Sequence, residues 1–143
     1  MHLNRYLASL CWALLVWTTI DPAAAADKPD PLDWPYWRGP EYNSISRETG
    51  LPDTIALEGA NSNVAWKRED LGGRSTPIVL NGKLYTILRA NPGTPTEGER
   101  IVCIDAATGK DIWQSRHNVW SSDVPDTRVG WSSVVGDPET GNV

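Results

Sequence analysis

Three stretches interrupt the otherwise polar texture of this chain. The first, Tyr6–Ile20, is an uncharged and mostly apolar run of 15 residues behind the basic Arg5. The second, Trp34-Pro-Tyr-Trp-Arg-Gly-Pro40, sets three aromatic rings within four positions. The third begins at Asn63, where short segments alternate apolar and polar residues with the period of two that a half-buried strand requires. Between the second and third, Glu41–Ser62 is polar and turn-rich without sustained period, and is expected to run over the surface as loop.

The alternating part divides at recognisable turns. Asn63-Val-Ala-Trp66-Lys-Arg-Glu69 has the pattern of a short edge strand, and the Gly72-Gly73 pair then turns the chain. Ser75–Leu80 and Lys83–Leu88 flank Asn81-Gly82, the signature of a type I′ hairpin whose two central residues both need positive φ. Pro77 lacks an N–H and has to sit where the ladder requires no donor. Ala90–Gly98 is a breaker-rich loop. Arg100–Asp105 is expected as a strand with Ile101 and Cys103 on one face and Val102 and Ile104 on the other, so both faces need cover. Asp105-Ala-Ala-Thr108-Gly109 is a tight turn, its aspartate placed to accept backbone N–H groups and its glycine free to take the left-handed conformation. Lys110–Ser115 follows as a strand. Four consecutive antiparallel strands are thus expected between Ser75 and Ser115.

The pattern repeats. Val64-Ala-Trp66 is echoed by Asp111-Ile-Trp113, 47 residues later, and Gly73-Arg-Ser-Thr76 by Gly130-Trp-Ser-Ser133. Asp137–Gly141 then takes the place of Asn81-Gly82, with Asn142-Val143 opening a further strand. A period near this length with about four strands per unit is that of radial β-propellers, which close with roughly four to eight blades. The chain is therefore expected to be the amino-terminal piece of a longer protein, or a truncated product, interrupted in its second blade.

Composition refines this organisation. Twelve glycines and eleven prolines favour short strands and turns over a helical bundle. Eighteen acids against thirteen bases, without a basic cluster in sequence, argue against a nucleic-acid partner. Residues 1–26 have the plan of an export signal: a basic start, the apolar run, then Asp21-Pro22 and four alanines before an expected cut at Asp27. The apolar run is shorter than the ~20 residues a membrane helix needs, so no span is expected after cleavage. The domain plan is a signal peptide over 1–26, an aromatic and polar arm over 27–62, and the repeat region over 63–143. The mature part keeps one cysteine, Cys103, and one histidine, His117, enough for neither an internal disulfide nor a metal cluster.

Cys103-Ile-Asp105-Ala-Ala-Thr108-Gly109-Lys110-Asp-Ile-Trp113 resembles the tryptophan-docking motif A-x-D-x-x-T-G-K-x-x-W of the quinoprotein-type (PQQ-like) β-propellers. Asp105, Thr108, Gly109, Lys110 and Trp113 match it, and Cys103 stands where that family usually has alanine. The resemblance covers Asn63–Ser115 and resumes over Gly130–Val143, about half of the chain. It implies an all-β fold, a partial propeller of about one complete four-stranded blade plus flanking strands. It further implies that Trp113 packs onto a neighbouring blade, that the turn residues hold the strand ends, and that Trp66 lies on an outermost strand completing the last blade.

Two functions follow from the resemblance. The first is an exported, non-catalytic scaffold or binding module, periplasmic or extracellular, similar to the BamB-like propellers of outer-membrane protein assembly. Its partners would be cell-envelope proteins met by the loops Ala90–Gly98 and Arg116–Arg128, although the family's lipobox cysteine has no counterpart here. The alternative is a fragment of a PQQ-dependent alcohol or sugar dehydrogenase. That enzyme needs an aspartate base, a calcium held by carboxylate and amide oxygens, an arginine near the quinone and a tryptophan floor. None of these can be located in this sequence, nor can an adjacent-cysteine pair, so no catalytic, cofactor or metal residue is assigned.

The remaining candidates have plainer readings. His117 is expected on the surface after the last strand, and Cys103 in the core. Glu69-Asp70 and the Glu97, Glu99 pair are expected to be solvated, and Gly72–Ser75 and Gly136–Gly141 to be turns without the ending of a phosphate loop. Trp34–Trp37 offers either a platform for a sugar or cofactor or an arm pinned by burying its rings, the latter favoured. Trp120 and Trp131 either line a pocket or pack in the core or between blades, and packing is again favoured.

Overall fold

The computed structural model describes residues 30–119 and 129–143. The signal-peptide assignment over 1–26, Trp120 and the rest of the Arg116–Arg128 insertion from 120 onward lie outside the described residues.

The described chain is all-β, with one short 3₁₀ turn at Glu69–Leu71 and four strands: β1 (Ile78–Leu80), β2 (Lys83–Ala90), β3 (Gly98–Asp105) and β4 (Asp111–Asn118). They form one open antiparallel sheet in the order β1-β2-β3-β4. Local chemistry sets the bounds. Pro77 has no donor to give, so β1 begins only at Ile78. Asn81 and Gly82 both take positive φ, 51° and 69°, as a two-residue I′ hairpin demands, and Leu80 pairs with Lys83 across it. Beyond the alternating segment the ladder continues in polar sequence, carrying β4 through Arg116 and His117 to Asn118. His117 therefore lies within the last strand, exposed.

Two expectations are corrected. Residues 63–68 form no strand; the expected edge strand Asn63–Glu69 is extended chain that ends in the 3₁₀ turn. Its alternation is nevertheless real, for Val64, Trp66 and Arg68 are half-buried while Asn63, Ala65 and Lys67 are exposed. An extended backbone becomes a strand only when another backbone pairs with it, and here side chains make the attachments instead. Trp66 accordingly lies outside any strand. Asn142-Val143 opens no strand either.

Both faces of the sheet bury apolar residues. On one face Ile78, Leu80, Tyr85 and Cys103 cluster with Val134, and Ile87 and Ile101 pack against them. On the other, Leu88, Val102 and Ile104 cluster against Leu71 and Leu84. Each fully buried aliphatic side chain of this kind contributes about 1.5–3 kcal/mol. The covers come from non-strand segments: the run containing Val134 on the first face, and the 3₁₀ turn containing Leu71 on the second.

The arm closes the free edge of β1. Trp34 and Val79 exchange backbone hydrogen bonds of 2.9 and 3.0 Å. The buried Asp33 carboxylate accepts from Asn81 N–H at 3.1 Å and so holds the hairpin turn. Pro35 is buried, and its carbonyl accepts from Gly136 N–H at 2.8 Å. The ring of Trp37, by contrast, is exposed beside Arg38. At the opposite edge all eight residues of β4 are exposed, including Ile112 and Trp113 at 48% and 42%. Among the described residues no helix is long and apolar enough to cross a membrane.

Candidate functional site

The turn from β3 to β4 draws in every neighbour the docking motif contains except its own tryptophan. Asp105 Oδ1 accepts from both Thr108 N–H and Thr108 Oγ1 at 2.7 Å. Gly109 N–H bonds Asp105 C=O at 2.9 Å, and Asp105 N–H bonds Lys110 C=O at 2.9 Å. Gly109 has φ of 69°, a conformation that costs other residues roughly 1–2 kcal/mol. The Thr108 hydroxyl and N–H hold the Asp105 carboxyl below its ordinary range. Ala106 N–H reaches across to Gly82 C=O at 3.0 Å, tying this turn to the β1–β2 hairpin. Lys110 is exposed.

Onto this turn the extended segment lays Trp66. Its indole Nε1–H donates to Ala106 C=O at 2.8 Å. Its ring covers Gly109 so closely that a Cβ there would lie 2.6 Å from Trp66 Cδ2. Two residues on, Arg68 clamps the same turn: its NH1 donates to Gly109 C=O and to Asp111 Oδ1, both at 2.8 Å. The rest of its guanidinium grips Asp70 Oδ1 and Oδ2, each at 2.7 Å. Those hydrogen bonds lower the Asp70 pKa to about 2.

A bulge separates Trp113 from this assembly. Cys103 pairs with Trp113 but Ile104 with Asp111, leaving Ile112 as the extra residue. Residues directly opposite share a face, so Trp113 falls on the Cys103 face and Asp111 on the Ile104 face, where Arg68 meets it. Trp113 lies tilted 6.0 Å from the Tyr85 ring. Of the six residues singled out in the motif, the structure thus gathers Trp66, Asp105, Thr108, Gly109 and the Lys110 backbone at one place and sets Trp113 on the other side of the sheet.

A second turn of the same construction follows. In Asp137-Pro-Glu-Thr140-Gly141 the aspartate accepts from Thr140 Oγ1 at 2.6 Å and from Glu139 N–H at 2.9 Å. Gly141 N–H bonds Asp137 C=O, and Asp137 N–H bonds Asn142 C=O, both at 2.8 Å. Gly141 has φ of 73°. The two D-x-x-T-G turns therefore share their backbone ring and their carboxylate–hydroxyl bond. Only the first carries a tryptophan over its glycine; the nearest atom to a Cβ at Gly141 is Asn81 Nδ2 at 3.4 Å.

Several residues behave otherwise than their sequence neighbourhood indicates. Asp70 is bound by Arg68, Glu97 pairs with Arg89, and Glu99 accepts from Gly130 N–H at 2.7 Å, so these acids are structural partners rather than free solvated charges. Trp131 is 55% exposed beneath Arg74, so it is not part of the core of the described residues. Arg68 was not legible as a site residue because its partners lie 41 and 43 positions away; its only signal is its half-buried place in the 64, 66, 68 alternation. Among the described residues no three His, Cys, Asp or Glu side chains form a group able to hold a metal ion. Comparison with protein-family models, with curated proteins and with solved structures yields no match for this chain.

Proposed function

We propose that this chain is part of an exported, non-catalytic β-propeller scaffold of the PQQ-like type, acting as a binding module for cell-envelope proteins in the periplasm or outside the cell. One contact carries the reading: Trp66 seats its indole on the Asp105–Gly109 turn through the Ala106 carbonyl. In a radial wheel a ring from one unit locks onto the turn of the next, and Trp113, itself 42% exposed, repeats Trp66 one period later. The both-sides-apolar sheet supports the same reading, since a wedge in a wheel has a neighbour on each face. Recognition would then fall to loops on the rigid sheet, here the exposed 91–96 segment between β2 and β3.

The test is made in cells on the full chain. The exported protein is expected to begin at Asp27, and a photoreactive side chain at Thr94 to give adducts with envelope proteins. Retention of residues 1–26 in the cytoplasm removes the exported part of the proposal. Dye-linked alcohol oxidation by protein supplied with pyrroloquinoline quinone and calcium overturns the non-catalytic part.

A further inference from the structure

Four of the thirteen basic residues of this acidic chain meet at one cavity. It has a volume of about 990 Å³ and is walled by Arg74, Arg89, Arg100 and Arg116 together with Gln114 and Asp70. Arg89 is already paired with Glu97. Among the described residues of the wall Asp70 is the sole carboxylate, and its two oxygens are already taken by Arg68 at 2.7 Å. Arg100 stands at ion-pair distance, 3.9 Å, from that shared carboxylate and hydrogen-bonds the Asp70 carbonyl at 2.8 Å. Arg116 donates to the Thr96 carbonyl. A neutral carbonyl orients a guanidinium without cancelling its charge, and Asp70, shared with Arg68, offsets Arg100 only in part.

The register sharpens the point. Arg100 and Arg116 are direct partners across β3 and β4, so their side chains leave the same face of the sheet at neighbouring positions. Like charges placed directly opposite one another destabilise a strand pair. An arginine fork matches the two oxygens of a carboxylate or phosphate, so one oxyanion bound between the pair would turn the repulsion into attraction. The cavity lies at the size of a small-molecule site, with room for an organic body behind the charged group.

We propose that this cavity binds a small organic oxyanion, its carboxylate or phosphate group held between Arg100 and Arg116. The site is independent of the propeller reading and stands or falls without it.

The experiment titrates the full chain with citrate and with inorganic phosphate by calorimetry at constant ionic strength, with chloride as the reference anion. Citrate binding identifies a carboxylate head and phosphate binding a tetrahedral one; either supports the site. R100Q and R116Q are each expected to weaken binding by about tenfold or more, from the loss of charge-assisted hydrogen bonds. K67Q, which removes an exposed cation elsewhere, is expected to leave binding unchanged. Thermal melting supplies a second readout that misfolding does not imitate. In chloride R116Q is expected to melt no lower than the parent, because a repulsion is gone, whereas in citrate the parent alone is expected to rise. Failure of both anions to bind above chloride, or undiminished binding by R100Q and R116Q, overturns the proposal.

Discussion

Gly109 lies directly beneath the indole of Trp66, so that a Cβ at Gly109 would stand 2.6 Å from Trp66 Cδ2. Two independent demands meet there: a backbone φ of 69° and a surface flat enough to seat a ring. Gly141 meets only the first, with φ of 73° and no ring above it. Gly109→Ala is therefore expected to cost about 2–4 kcal/mol, strain plus displacement of the ring, and Gly141→Ala only about 1 kcal/mol. Urea unfolding midpoints of the two variants compare the demands directly; equal losses would show that the ring contributes nothing.

The ring's own contribution separates into a hydrogen bond and a packed surface. Trp66→Phe keeps most of the surface but leaves Ala106 C=O without its 2.8 Å donor, an expected loss of about 1 kcal/mol. Trp66→Ala also strips the cover from the turn and is expected to lose about 2 kcal/mol or more. Because the two residues touch, Gly109→Ala in the Trp66→Ala background should retain its backbone strain and shed its steric part. A double-mutant cycle measures that coupling; strict additivity would disprove the contact's role in stability.

How much of this was legible in the sequence depended on how far each residue's partners lie along the chain. Asn81-Gly82 and Asp105–Gly109 announce themselves because the conformation they need is local: a positive φ and an aspartate bonding three residues on. The pairing of β2 with β3 followed from apolar alternation on both faces. The segment 63–68 shows the limit. Its period-two burial is a true signal of extended chain, but no sequence pattern states whether a second backbone will pair with it. Arg68, Arg100 and Arg116 were invisible for a similar reason, since a charged residue gives no local sign of whether its partner is solvent, an acid brought from 43 positions away, or a like charge across a ladder. The D-x-x-T-G spelling of 137–141 matches that of 105–109 in the sequence, and the shared hydrogen bonds show that the two turns are built alike.

The Arg68–Asp70 pair predicts the shape of acid unfolding. Hydrogen bonds from Arg68 lower the Asp70 pKa to about 2, below its unfolded value near ~3.9. A group depressed in the folded state contributes stability that is intact above the unfolded pKa and is lost as pH falls through the folded one. Asp105 and Asp137, also lowered by threonine hydroxyls, act in the same direction. Unfolding free energy should therefore fall with pH from about 4 towards about 2, and Asp70→Asn should make that decline shallower. An unchanged slope in the variant would remove Asp70 from the account.

Cys103 and Tyr85 face each other across β2 and β3, and burial raises the pKa of both. The nucleophile in thiol chemistry is the thiolate, so Cys103, fully enclosed, should resist a disulfide reagent at neutral pH until denaturant is added. Tyr85, its pKa raised to about 12, gives the alkaline counterpart of the Asp70 effect. Its neutral form is favoured in the folded state, so its contribution is whole below the unfolded value near ~10 and disappears as pH rises towards 12. Absorbance titration should show a late tyrosinate step that Tyr85→Phe deletes, together with a flatter loss of stability over the same range. Rapid labelling of Cys103 in the native protein, or a Tyr85 step at the ordinary tyrosine pH, would mean that this face of the sheet opens to solvent. Since Val134 helps to cover it, the same two measurements report whether the 129–136 segment stays in place.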